Sequence, residues 1–298
     1  MRMPRKGSML ASAAASLAML GSLGATNATA CAHPTPPPGY YLSLGDSLAL
    51  GVQPDSNGQE RPTSQGYANV LFTAERATDR NLRLVKLGCS GETSQTMLTG
   101  GICRYQGASS QLDAAVKFLS THRGSVRLVT LDIGANDIDA CASAAGLNLP
   151  CAESGLHQVV VDLPQILHSL RAADPNVRVQ FAAMDYYDPF LAAWLEGSPG
   201  RQLAGQSLTV VDTLNHLLLQ DYQKAGFIVA PVSSAFATSD TRLVNVPGLG
   251  QMPRDVATLC ALTWACTLPP VGPNIHANAA GYEEIARSFA MTLAAQHK

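Results

Sequence analysis

From Tyr40 onward, short apolar runs alternate with longer stretches in which apolar residues recur every three or four positions. The short runs lie at 40–44, 82–87, 126–133, 177–184 and 226–232 and predict strands. The longer patterns cover 66–78, 109–121, 153–173, 201–224 and 279–296 and predict helices. Strands alternating with helices of this length build a parallel sheet with helices on both faces. No internal repeat and no linker follow residue 40, so one domain over 40–298 is expected.

In such a sheet, functional groups gather beyond the carboxyl ends of the strands. The first strand runs into Gly45-Asp46-Ser47-Leu48, the second into Gly88-Cys89-Ser90-Gly91-Glu92-Thr93-Ser94. The third leads to Gly134-Ala135-Asn136-Asp137 and the fourth to Asp185-Tyr186-Tyr187-Asp188-Pro189. A loop before the last helix, Gly272-Pro273-Asn274-Ile275-His276, carries a histidine outside any helical pattern. Polar, glycine-containing turns on one sheet edge form a constellation.

Composition narrows the classes. Hydrophobic residues make up 46% and charged residues 14%, which allows a full core and excludes a disordered chain. A formal charge of −2 lacks the basic footprint of a nucleic-acid binder. Arg2, Arg5 and Lys6, an uncharged run from about Met9 to Ala25 and Ala28-Thr29-Ala30 read as a secretory signal peptide over 1–30, followed by a Pro-rich spacer over 31–39. An exported chain with seven cysteines is read as disulfide-bonded first. Six cysteines permit fifteen connectivities, and closeness in sequence favours Cys89/Cys103, Cys141/Cys151 and Cys260/Cys266. Cys31 is left over: it is either the acylated anchor of a lipoprotein or is discarded with the signal. No metal-binding spacing occurs, and no cofactor is expected.

A serine becomes a nucleophile when a base takes its proton and donors hold the oxyanion it creates. Ser47 is the candidate nucleophile and His276 the candidate base. His157, His168 and His216 sit on helical stretches, His122 ends one, and His33 and His297 lie in terminal segments. The Ser47 N–H, the Gly91 N–H and the Asn136 amide are the candidate oxyanion donors; Gly91, without a side chain, lets a substrate approach its backbone. Tyr186, Tyr187 and Phe190 are candidates for a substrate pocket, and the Gly/Pro-rich segment from Leu243 to Met252 for its cover. Asn278 is placed to cap the last helix, with Tyr282, Ile285, Phe289 and Leu293 on its apolar face.

Four blocks, Gly45-Asp46-Ser47-Leu48, Cys89-Ser90-Gly91-Glu92-Thr93, Gly134-Ala135-Asn136-Asp137 and the one at His276, in this order within matching segments from Leu42 to Tyr282, resemble the SGNH (GDSL) hydrolase superfamily, in particular its secreted, disulfide-containing actinobacterial esterases and lipases. The resemblance implies a flavodoxin-like three-layer α/β/α fold, acyl-ester hydrolysis and three sequential disulfides. It also implies Ser47 as nucleophile, His276 as base, and Gly91 with Asn136 in the oxyanion hole. One departure stands out. The family usually has an aspartate three residues before its histidine, where this chain has Pro273, and the proline that often follows the histidine is Ala277. A backbone carbonyl of the 272–274 loop is therefore expected to orient His276 Nδ1, giving a dyad. An α/β-hydrolase is excluded by the lack of Gly-x-Ser-x-Gly, and a nucleotide-binding protein by the lack of a phosphate-cradling Gly-rich turn. A monomer acting on a small-molecule or lipid ester is expected; the alternative is a non-catalytic lipid- or carbohydrate-binding relative of the cell envelope.

Overall fold

A computed structural model describes residues 38–143 and 146–296. The expected signal peptide, Cys31 and most of the Pro-rich spacer lie outside the described residues, as do His33 and His297.

Five parallel strands form the central sheet: Tyr40–Gly45, Arg83–Lys86, Val126–Asp132, Gln180–Met184 and Ile228–Ala230. In chain order their arrangement across the sheet is 2-1-3-4-5. The order in which strands are added therefore reverses between the first and third strands, the point beyond whose carboxyl ends such sheets place a crevice. The two strands at this point are almost wholly buried, including Tyr41, Leu42, Leu44, Val129 and Leu131, as expected when helices cover both faces. Helices Tyr67–Glu75 and Ala279–Ala295 pack together, with Tyr67 and Phe289 stacked at 5.1 Å. Helices Gln111–Thr121, Leu149–Ala173 and Ser198–Lys224 make up the other layer.

All five predicted strands and five predicted helices are present, with shifted ends. The fourth strand starts at Gln180 rather than 177, because Val179 N–H closes a turn onto the Asn176 carbonyl and Val177 is 96% exposed. The fifth strand shortens to Ile228–Ala230: Gly226 at φ 71° terminates the preceding helix, and Pro231 leads into a short helix, Val232–Ala235. Leu149–Ala173 begins four residues early because the Asn148 side chain accepts from Cys151 N–H and Pro150 suits the first turn. Three antiparallel hairpins carry too few residues for a periodic pattern: Val52–Pro54 with Glu60–Pro62, Ala142–Ser143 with Gly146–Leu147, and Leu243–Val246 with Gly250–Pro253.

Candidate active site

Ser47 opens a four-residue helix, Ser47–Leu50, at the end of the first strand. Gly45 makes the turn, at φ 131°. A Cβ there would lie 2.0 Å from the Asp132 carbonyl oxygen, so only glycine lets the two strand ends approach. The Asp46 carboxylate caps the helix, accepting from Leu48 N–H at 2.8 Å, and also accepts from Tyr186 O–H at 3.1 Å. From the third strand, Asp132 Oδ2 accepts from the backbone N–H groups of Asp46 and Ala49, at 3.1 and 3.2 Å, and Oδ1 accepts from Tyr67 O–H. The Gln111 amide clasps both backbone groups of Gly45 and donates to buried Glu92 at 2.8 Å. Ser47 is thus set on a framework of buried polar bonds, and its own N–H and Oγ bond to no other group among the described residues.

The glycine and asparagine turns are tied together. Asn136 Nδ2 donates to the Glu92 carbonyl at 3.1 Å, and the Ser94 N–H and hydroxyl both donate to the Asp137 carboxylate, at 2.9 and 2.7 Å. Among the described residues, the Glu92 carbonyl is the one acceptor that the Asn136 amide engages. Gly91 is exposed at φ 78°, with open space where a side chain would stand. Asn136 lines the pocket that holds Ser47; Gly91, in the loop Asn136 braces through the Glu92 carbonyl, does not line it.

His276 is only 5% exposed. Its loop is pinned on several sides: Trp264 N–H donates to the His276 carbonyl, Asn274 N–H to the Trp264 carbonyl, and Tyr187 O–H to the Ile275 carbonyl at 2.9 Å. Asn278 caps the helix that follows, accepting from Gly281 N–H. The expected backbone carbonyl does not orient the ring. The Asn274 side chain does: its Oδ1 lies 2.8 Å from His276 Nδ1 and accepts from the His276 N–H at 3.0 Å. Pro273 cannot present an acceptor side chain, whereas Asn274, two residues before the histidine, folds back in a local Asx turn. Because Oδ1 only accepts, Nδ1 carries the proton and Nε2 presents a lone pair. Glu60, from the first hairpin, adds a carboxylate that no local motif announces. It accepts from Asn274 Nδ2 at 2.8 Å and lies 3.4 Å from His276 Nδ1. Burial lowers the His276 pKa below the ordinary value, and the Glu60 charge partly opposes that shift.

Ser47, Asn136, His276, Tyr186 and Tyr187 line one pocket with Ile138, Val211 and Leu214. Neither Phe190 nor the 243–252 segment lines it; that segment forms the last of the three hairpins, largely exposed apart from buried Met252. Asp139 is a further pocket residue without a sequence signal. Burial and the neighbouring Asp46, Asp188 and Asp137 push its carboxyl well above the usual range. Burial also pushes Asp132 up, with the Asp46 charge adding to it. Three disulfides staple the surrounding loops: Cys89–Cys103, Cys141–Cys151 and Cys260–Cys266. Among the described residues no cluster of three or more His, Cys, Asp or Glu side chains could hold a metal ion.

Comparison with known proteins accords with this geometry. A model of the GDSL-like lipase/acylhydrolase family matches residues 43–284. Similar solved structures include the extracellular lipase of Streptomyces rimosus, 18% identical, covering 85% of this chain and 99% of that one at a TM-score of 0.56. Phospholipase A1 of Streptomyces albidoflavus is 17% identical over 86% of this chain and 99% of its own, with a TM-score of 0.56. The acetylxylan esterase Axe2 of Geobacillus stearothermophilus is 17% identical over 86% and 94%, with a TM-score of 0.52. A comparison with curated proteins returned no match. With the Ser47 turn, the Asn136 turn and the His276 loop on one sheet edge and the family match spanning all three, the chain belongs to the GDSL-like lipase/acylhydrolase family and is a carboxylic ester hydrolase.

Proposed function

We propose that the protein is a secreted serine esterase or lipase that cleaves acyl esters through a Ser47–His276 acyl-enzyme mechanism. His276 Nε2 takes the Ser47 proton as Oγ attacks the ester carbonyl. The Ser47 N–H, Gly91 N–H and Asn136 Nδ2 hold the oxyanion, each with a hydrogen uncommitted to another group among the described residues. The protonated imidazole returns its proton to the departing alcohol, and a water activated at the same nitrogen then hydrolyses the acyl-enzyme. No metal or cofactor enters these steps. The observation that carries this reading is the convergence of Ser47, Asn136 and His276 on one pocket, with His276 Nδ1 committed to Asn274.

The phenols of Tyr186 and Tyr187, which burial holds neutral, and the apolar wall of Ile138, Val211 and Leu214 form a substrate pocket. The similar structures include a lipase, a phospholipase and an acetylxylan esterase, so both lipid and small acetyl esters belong in the substrate panel. The signal-like N-terminus and three disulfides favour export, as a free monomer or tethered through acylated Cys31. The purified protein should hydrolyse p-nitrophenyl acyl esters and react stoichiometrically with a serine-directed phosphonate, and Ser47→Ala should abolish both. Turnover retained in Ser47→Ala would refute the reading; a wild-type chain inert to both reagents would favour a non-catalytic binding role.

A further inference from the structure

We propose that Glu60 is the positioning carboxylate of this active site, acting on His276 through the Asn274 amide in place of an aspartate in the histidine loop. The inference rests on the Ser47–His276 reading above. Its first support is the amide's orientation. Asn274 Oδ1 faces two N–H groups of His276, and Nδ2 faces Glu60 Oε1 at 2.8 Å. Flipping the amide would set donor against donor at His276 and acceptor against acceptor at Glu60. Glu60 therefore fixes the amide, the amide keeps the proton on Nδ1, and Nε2 is left as the base. When the imidazolium forms, the carboxylate 3.4 Å from Nδ1 also stabilises its charge.

The second support is that the hairpin bearing Glu60 is built onto the histidine loop. Its tip residue Gly58, at φ 77°, lies where a Cβ would come within 1.9 Å of the Pro270 carbonyl oxygen. Gln53, on the opposite strand, accepts from Trp264 Nε1 at 3.2 Å, and Trp264 in turn binds the backbone of His276 and Asn274. Within the hairpin, Asp55 accepts from the N–H groups of Asn57 and Gln59 and pairs with Arg61 at 2.8 Å, which draws that cation away from Glu60. The other titratable groups on the pocket wall are Asp46, Asp139, Tyr186 and Tyr187. Asp46 is engaged by Leu48 and Tyr186, and Asp139 and both phenols are pushed toward their neutral forms. Glu60 is the carboxylate that adjoins Nδ1.

Glu60→Gln keeps an oxygen for the Asn274 amide and removes the charge; Glu60→Ala removes both. Half-exposed Glu60 can be replaced without opening the core. In Glu60→Gln, kcat should fall about tenfold with KM within about twofold. The acid limb of kcat/KM should move about half a pH unit lower, because the imidazolium loses a stabilising charge. Glu60→Ala should lose more activity and show the same limb shift. An unchanged kcat and an unmoved limb in both variants would overturn the proposal. So would lost activity with an unmoved limb, which makes Glu60 a packing contact only. Phosphonate labelling separates the two readings: if the wild-type protein is not labelled at Ser47, the nucleophile assignment fails whatever Glu60 does.

Discussion

Replacing Asn274 with Ala removes a side chain that hydrogen-bonds to both His276 and Glu60. Two hydrogen bonds to Oδ1 disappear. The His276 N–H loses its partner in a loop where the residue is 5% exposed, a stability cost of about 1–3 kcal/mol. The bond at Nδ1, 2.8 Å long, matters more to catalysis, because the ring is neutral before proton transfer and cationic at the transition state. A hydrogen bond to a charged group exceeds one to a neutral group by about 1–2 kcal/mol. At about 1.4 kcal/mol per decade that is roughly 5–30-fold in kcat, and a ring free to exchange tautomers loses somewhat more. Asn274→Ala should therefore reduce kcat on p-nitrophenyl acetate about 10–100-fold, measured at a pH where His276 is neutral and below the variant's own unfolding temperature. A folded variant within twofold of wild type would refute the assignment of Asn274 as the orienting group. Asn274→Asp sharpens the test. Its carboxylate could accept from Nδ1, but it would face Glu60 where an amide now donates at 2.8 Å. Asn274→Asp should be impaired alone and regain activity when combined with Glu60→Gln, and additive losses in the double variant would contradict the geometry.

Two further outcomes follow from other parts of the site. Asn136→Ala should lower kcat by about 10²–10³ with little change in KM; a loss of only a few-fold in steady-state assays would make Asn136 a strut to the Glu92 carbonyl rather than an oxyanion donor. Asp188, buried next in sequence to the tyrosine pair and accepting from the Ser207 hydroxyl and the Phe190 N–H, has its pKa pushed up to about 7 by burial. Its folded value is raised, so its stabilising contribution is complete below the unfolded value near 4 and is lost as pH rises to about 7. Asp188→Asn, which mimics the protonated acid, should match wild type in urea unfolding at pH 4 and gain up to about 4 kcal/mol relative to it at pH 8. Parallel stability–pH curves for the two proteins would show that Asp188 does not titrate in this range.

Much of the architecture was legible because it rests on short-range signals. Buried parallel strands read as continuous apolar runs, and amphipathic helices read as a period near 3.6, so all five strands and five helices could be located from neighbouring residues. Their ends moved where a local turn competed, as at Asn176–Val179 and Gly226. The Ser47, Gly91 and Asn136 turns were legible because glycine-bearing polar turns follow strand ends, and an α/β sheet gathers those ends on one edge. Tyr186 and Tyr187 were found for the same reason. His276 stood out because it lies outside any helical pattern, in the loop before the last helix. Phe190 and the 243–252 hairpin, which could equally be pocket or core and surface loop by sequence, do not line the pocket, because composition alone does not say which way a loop faces.

The histidine's orientation lay beyond this reach. The sequence by itself establishes the layered α/β fold, the order of the polar turns, and the absence of a carboxylate at Pro273, since each depends on residues a few positions apart. Only the tertiary structure decides what stands in for that carboxylate. Glu60 and Asn274 are 214 residues apart in the chain, and Glu60 belongs to a hairpin with strands of three residues. What brings it to His276 is the seating of Gly58 on the Pro270 carbonyl and of Gln53 on Trp264. Such contacts depend on steric fit between distant segments, and neither periodicity nor local turn chemistry records that fit.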